Sequence, residues 1–182
     1  MKGNKKLLWQ LAFLLFLIIG TIAIVRQQRS TPYQKDTGFV FGTVYNITYQ
    51  NDNNLKKEIE AELVKVDNSL SPFNKESIIS KINRNENVKA DQMFTDVFTL
   101  AEKISEETDG AFDITVAPLV NAWGFGFKND VMPGKETIDS LRQFIGYKKT
   151  SFNDGYVKKD DPRIMLDCSA IAKGYACDVV AN

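Results

Sequence analysis

A run of apolar residues from Leu7 to Val25 limits this chain more than any other feature; it is uncharged and holds one strongly polar side chain, Gln10. As a helix it would be about 28 Å long, close to the hydrocarbon thickness of a bilayer. Lys2, Lys5 and Lys6 precede it and favour a cytoplasmic N-terminus, while Arg26 and Arg29 beyond it weaken that bias. An uncleaved anchor and a cleaved signal peptide are the competing readings. The lack of a clear small-x-small site after the run favours the anchor, and the basic flanks argue against a buried core helix. Both live readings place residues 30–182 outside the cytoplasm, and the anchor leaves them on the extracytoplasmic side of the inner (plasma) membrane.

The 182 residues carry 23 Lys+Arg and 23 Asp+Glu, but the net charge of zero hides a segregation. Lys2, Lys5, Lys6, Arg26 and Arg29 are the charged residues of the first 29, so the remainder has five more acids than bases. A mildly acidic body offers no footprint for nucleic acid. There is no His, which excludes a Ser-His-Asp triad, a His-ligated zinc and an imidazole base within these residues. Cys168 and Cys177 cannot make a four-Cys zinc site. Both read as packing residues, since a bridge between them along one helix has poor geometry.

Three parts follow: an anchor or signal over 1–29, a polar tether over 30–37 containing Pro32, and a body over 38–182. The body opens with β-branched and aromatic residues, Phe39–Phe41 and Val44–Tyr49, read as a strand pair or kinked strand around Gly42-Thr43. Asp52-Asn53-Asn54 supplies candidate caps for a helix carrying Leu55, Ile59, Leu63, Val66 and Leu70 at helical spacing, and Ser71-Pro72 stops it. A short helix is expected over 77–83 with Ile78, Ile79 and Ile82 inward. A stronger one over 91–108 has Met93, Val97, Leu100, Ala101 and Ile104 inward and Phe94 and Phe98 widening the face. Asp109-Gly110 ends it. Further helices fit 116–122, 135–145 and 170–180, and Tyr156–Lys158 with Arg163–Leu166 reads as a hairpin around Asp160-Asp161-Pro162. Grouped helices with antiparallel strands argue an α+β fold. The final helix runs to Asn182 without a cap, so the domain is expected to be truncated at its C-terminus.

Three segments carry local chemistry. In Asp109–Val120, Gly110 permits a left-handed backbone and Asp113 or Thr115 could cap the next helix. Helix capping and hydrogen bonding to a flat ligand by Asp113 are both open there. Asn121-Ala122-Trp123-Gly124-Phe125-Gly126 alternates aromatics with glycine, which suits core packing or stacking on a heterocycle. In Leu166–Ala176 an acid, Asp167, ends a strand, small residues follow, and Lys173 sits in the first helical turns. Such a junction can receive an anion.

Read together, Gly-Ala-Phe-Asp-Ile-Thr-Val-Ala-Pro-Leu-Val-Asn-x-Trp-Gly-Phe-Gly from Gly110 and Leu-Asp-Cys-Ser-Ala-Ile-Ala-Lys-Gly-Tyr-Ala-x-Asp from Leu166 resemble the ApbE-type FAD:protein FMN transferases. Phe41-Gly42-Thr43, Leu70–Ser77 and Ile82-Asn83 fit earlier motifs of that family, so the likeness covers 38–182. The resemblance implies an exported, often membrane-tethered enzyme. With Mg²⁺ it splits FAD and attaches FMN through a phosphoester to a Ser or Thr of an acceptor flavoprotein, releasing AMP. It implies that Phe41, Phe73, Ala111, Phe112, Asp113, Asp167 and Lys173 contact the flavin nucleotide, and that Ala170 touches the metal through its backbone carbonyl. Phe41 stands where Met is common, and Phe73 where Tyr is common, at the loss of a hydroxyl. Cys168 replaces a commoner aliphatic residue. The family's metal carboxylates, metal hydroxyl and His-bearing motif lie in a later part that these residues do not include. The alternative is a membrane-anchored FAD-binding module without catalysis.

Overall fold

The computed structural model describes residues 3–27, 31–125 and 132–182; Gly126 and Phe127 of the aromatic-glycine motif, and part of the polar stretch after the apolar run, lie outside the described residues. The chain divides into two compact units, Met1–Asp36 with Ile47–Asn54, and Thr37–Asn46 with Leu55–Asn182.

The first unit is dominated by helix α1, Gly3–Gln27. Its apolar side chains surround the helix instead of forming one stripe, and they are exposed, Trp9 at 80% and Phe16 at 70%. Residues Lys6–Gln27 are long and apolar enough to cross a membrane, a property that anchors and signal sequences share. The Thr21 hydroxyl donates to the Leu17 carbonyl at 2.8 Å, so this polar group is satisfied within the helix. Asp36 is buried and accepts a 2.7 Å bond from the Tyr49 hydroxyl.

Strands β1, Tyr33–Val40, and β2, Thr43–Gln50, form a two-stranded sheet. The strand pair expected around Gly42 is therefore present, but β1 starts at Tyr33, so 33–37 is strand and not tether. The loop is Phe41-Gly42, both with positive φ (52° and 72°), the type I′ geometry that suits the right-handed twist of a hairpin. A Cβ at Gly38 would lie 2.5 Å from the Tyr45 phenol, so that ring, whose hydroxyl donates to Glu60 at 3.2 Å, would have to shift.

The second unit is built on helices. In α2, Lys56–Leu70, the residues Ile59, Leu63, Val66 and Leu70 fall on one face and are buried. Its N-cap is Leu55 with no side-chain bond, so Asp52–Asn54 do not cap it; the Asn51 side chain instead accepts from the Asn53 amide. It ends where Ser71 turns extended ahead of Pro72. Helix α3, Ile78–Asn83, is capped by Ser77 and buries Ile79 and Ile82, with Ile78 only half-buried. Helix α4, Gln92–Glu107, starts at Asp91, whose carboxylate accepts from the Phe94 amide and the Ser69 hydroxyl, both at 2.8 Å. Its buried face is Phe94, Val97, Phe98 and Ala101, while Leu100, expected inward, is 45% exposed. Asp109 and Gly110 close α4 with positive φ, and the Gly110 amide returns to the Ser105 carbonyl at 2.8 Å.

Helix α5, Ala117–Ala122, has Val116 as its N-cap, so neither Asp113 nor Thr115 caps it. Helix α6, Lys135–Arg142, stops short of the expected Ile145 and has no buried residue. Strands β3, Thr150–Asn153, and β4, Tyr156–Lys159, pair antiparallel with Asn153 opposite Tyr156. The hairpin thus turns at Asp154-Gly155 (φ 54° and 84°), not at Asp160–Pro162, and Arg163–Leu166 is not its second strand. Phe152 of β3 lies 5.4 Å from the Phe98 ring, which seats the hairpin on α4. Helix α7, Ser169–Ala181, packs against α2 and α4, with Ala172 and Ala176 buried. Cys168 is buried as expected; Cys177 is exposed, and the two are not bonded.

Candidate functional site

A cleft of about 450 Å³ opens in the second unit, within the size range of small-molecule sites. It is walled by Pro72 and Phe73 after α2, Ser80 and Asn83 of α3, Val120 and Asn121 of α5, and Met165–Asp167 with Ser169 and Lys173 at the entry to α7. An adjoining hollow shares Pro72, Phe73, Ser169 and Lys173 and adds Phe41, Leu70, Ser71 and Ala172. Phe41, Phe73, Asp167 and Lys173, far apart in sequence, are thereby brought to one place.

Each wall has a local cause. Phe41 occupies a turn position that requires φ of 52°, which a bulky side chain adopts at a cost of about 1–3 kcal/mol. Asn or Gly is the usual choice at that position of the turn, so an aromatic is held there against its backbone preference. Phe73 follows Pro72 and is 48% exposed, with its ring 3.6 Å from where a Cβ on Gly42 would lie. Asp167 precedes α7, and one of its oxygens accepts from the Ser169 amide at 2.7 Å. Ser71 is buried and borders the hollow, and its hydroxyl has no hydrogen-bond partner among the described residues.

Lys75, Arg84 and Lys173 also line the cleft, opposed among the described residues by the single carboxylate of Asp167. Arg84 is tied by 2.6 Å to the Lys75 carbonyl and by 2.7 Å to Glu86. The combination of apolar walls, aromatic faces and excess positive charge suits a planar ligand that carries phosphate.

Other expected contacts lie elsewhere. Ala111, Phe112 and Asp113 do not line the cleft. Asp113 accepts from the Thr115 amide and hydroxyl, both at 2.7 Å, and from the Tyr147 amide at 2.8 Å. Its carboxylate stitches the 110–116 turn to the segment before β3. In the aromatic-glycine motif Phe125 lines the cleft and is 81% exposed, and Trp123 is 42% exposed, so these two rings are not core. Asn83, Lys75 and Arg84 are cleft residues that composition and spacing do not single out; Asn83 appears in sequence only within a matching motif.

The donor set can be tested against magnesium, which takes oxygen ligands, commonly one or two carboxylates plus waters and substrate phosphates. Ala170 is exposed on the first turn of α7, and among the described residues Asp167 is the one carboxylate lining the cleft, beside three cations. Among the described residues, no three Asp, Glu or Cys side chains gather as a metal site. These residues alone do not fit a magnesium ion.

The Cys168 thiol is fully buried, and burial, with the Asp167 charge second, pushes it up to about 12.

Comparison with known proteins gives a consistent picture. The chain is 33% identical over 157 residues to the FAD:protein FMN transferase of Vibrio cholerae, covering 80% of this chain and 47% of that protein. It is 31% identical over 189 residues to the FAD:protein FMN transferase of Haemophilus influenzae, covering 91% and 55%. The chain spans about half the length of the curated relatives it matches. The solved flavin transferase ApbE from Vibrio cholerae superposes with a TM-score of 0.76 at 33% identity, over 82% of this chain and 52% of that one. The apo flavinyl transferase ApbE of Pseudomonas stutzeri gives 0.74 at 29% identity, over 85% and 52%. The mixed α and β fold is shared with these enzymes, and the family model described as ApbE family matches residues 41–182, so the chain belongs to the ApbE family.

Proposed function

We propose that this chain carries the flavin-nucleotide-binding part of an FAD:protein FMN transferase. The observation that supports it most is the convergence of Phe41, Phe73, Asp167 and Lys173 on one cleft and its adjoining hollow. The ring faces of Phe41 and Phe73 receive the planar part of FAD, Lys173 sets a positive charge by the phosphates, and Asp167 accepts hydrogen bonds from the nucleotide. Ala111, Phe112 and Asp113 belong to the nucleotide site in the family pattern; they lie outside the cleft, so they would meet a part of FAD that extends beyond it, Asp113 with a carboxylate that already holds its own loop.

The reaction is a phosphoryl-group transfer. A Ser or Thr hydroxyl of an acceptor flavoprotein attacks the FMN phosphorus of FAD, its oxygen keeps the new P–O bond, and its proton passes to solvent. The bond from that phosphorus to the bridging oxygen breaks, and AMP leaves with that oxygen. Cations beside the pyrophosphate offset the charge of the departing group. Magnesium would add Lewis-acid assistance with Ala170 as a contact, although the described residues alone do not fit it. Helix α1 holds the body at the extracytoplasmic face of the membrane, where the acceptor is met.

Co-production of the protein with an acceptor flavoprotein, followed by mass spectrometry of the acceptor, tests this reading. FMN on a Ser or Thr with equimolar AMP is expected. FAD retained without adduct or AMP supports a binding module, and the absence of both FAD retention and FMN adduct would defeat both readings.

A further inference from the structure

Residues 164–167 run into α7 as an extended segment. Ile164, Leu166 and Cys168 are buried, while Met165 and Asp167 between them line the cleft. This alternation is strand geometry, with backbone groups of successive residues facing opposite edges. One edge pairs with main chain: Met165 bridges Val116 in parallel, and the Asp167 amide donates to the Ile114 carbonyl at 2.7 Å.

The opposite edge meets no strand among the described residues; side chains occupy it. The Asn83 amide group donates to the Leu166 carbonyl at 2.9 Å and accepts from the Leu166 amide at 2.7 Å. Two residues along the same edge, Lys159 Nζ donates to the Ile164 carbonyl at 2.9 Å and also to the Ile82 carbonyl at 3.0 Å. A carboxamide has the donor and acceptor of a peptide group, so Asn83 presents Leu166 with what a neighbouring strand would present. Asn83 borders the cleft, yet both of its polar atoms are engaged by Leu166.

We propose that Asn83 and Lys159 are positioning residues that give residues 164–166 the hydrogen bonds a neighbouring strand would give and so hold the Asp167 carboxylate at the cleft wall. The proposal rests on reading the cleft as the flavin-nucleotide site. Lys159 is a costly device for a purely structural tie: burial holds its amine below the ordinary 10.5, against the opposing pull of Asp161. A hydrocarbon chain would pack without that cost, but it could not satisfy the Ile164 carbonyl; the Ile82 carbonyl also accepts from the Asn85 amide at 3.0 Å.

The test uses the full chain in mild detergent, with Asn83→Ala, Asn83→Asp and Lys159→Met, read by hydrogen exchange and by FAD titration. Exchange of the 164–168 amides should quicken about tenfold in Asn83→Ala while α2 and α4 hold their rates. Asn83→Asp keeps the acceptor for the Leu166 amide and should change less. FAD affinity should fall about tenfold in Asn83→Ala, yet not fall further when that change is added to Asp167→Ala. A merely structural role predicts losses that multiply in the double variant, and that result, or unchanged exchange at 164–168, overturns the proposal. If the wild type binds no FAD, the flavin reading fails and the exchange result alone decides. If Asn83→Ala does not fold, Asn83→Asp and Lys159→Met carry the same comparison.

Discussion

Replacing Asp113 with alanine separates a stitch from a ligand contact. The carboxylate is the acceptor for the amides of Thr115 and Tyr147, and Thr115 is fully buried. The Thr115 hydroxyl loses one partner but still accepts from the Gly146 amide at 2.8 Å. Two backbone donors are thus orphaned, each at about 1–3 kcal/mol, so Asp113→Ala should cost about 3 kcal/mol. For a chain of this size that lowers Tm by roughly 10 °C. Asp113→Asn keeps one oxygen for the Thr115 amide but sets an NH₂ group against another donor, and should lose roughly half as much. The assay is thermal unfolding of the full chain in detergent, with FAD titration well below the midpoint. A variant that melts within about 2 °C of wild type but no longer binds FAD would refute the stitch and make Asp113 a ligand residue first.

Further expectations follow from burial and charge. Under native conditions a thiol reagent should modify Cys177, which is exposed, and leave Cys168 unmodified until unfolding; mass spectrometry of the labelled peptides reads both. Burial raises Cys168 from 9.0 to about 12, and burial with the Asp96 bond raises Tyr175 from 10.0 to about 12. Raised folded-state values mean that both contributions are complete below the unfolded pKa and are lost as pH climbs toward 12. Denaturant midpoints should therefore decline above pH 9, and less steeply in a Tyr175→Phe variant. Removing residues 1–29 should move the body from the membrane pellet to the soluble fraction. Retention in the pellet would contradict the anchor, and a mature chain already lacking the helix would identify a cleaved signal.

Much of the fold could be read from periodicity and end signals. Ile59, Leu63, Val66 and Leu70 announce α2, and Ser77 and Asp91 announce the starts of α3 and α4 as the caps they are. Leu100 misled because spacing alone cannot say where the centre of an apolar arc lies. The rings of Phe94 and Phe98, stacked at 5.8 Å, take that centre and push Leu100 outward. In sequence Pro162 is a louder turn signal than Asp154-Gly155, although the latter pair is the one suited to a type I′ turn and is where the second hairpin turns. At the candidate site, Asp167 and Lys173 stand out locally as an acid and a Lys at a strand-to-helix junction, while Phe41 and Phe73 are read only through the longer motifs, since nothing local links a hairpin tip to a helix entry. The Asn83 clamp was not legible, because its partner lies 83 residues away and the contact is to backbone, which leaves no pattern in side-chain chemistry.

Equilibrium titration of FAD into the full chain, followed by flavin fluorescence, asks most directly whether this cleft is a flavin-nucleotide site. Saturable binding is expected, weakened about tenfold or more by Lys173→Ala, which removes a charge-assisted contact, and weakened again by Phe73→Ala. Binding that is absent, or that is indifferent to Lys173, Phe73 and Asp167 together, would contradict it.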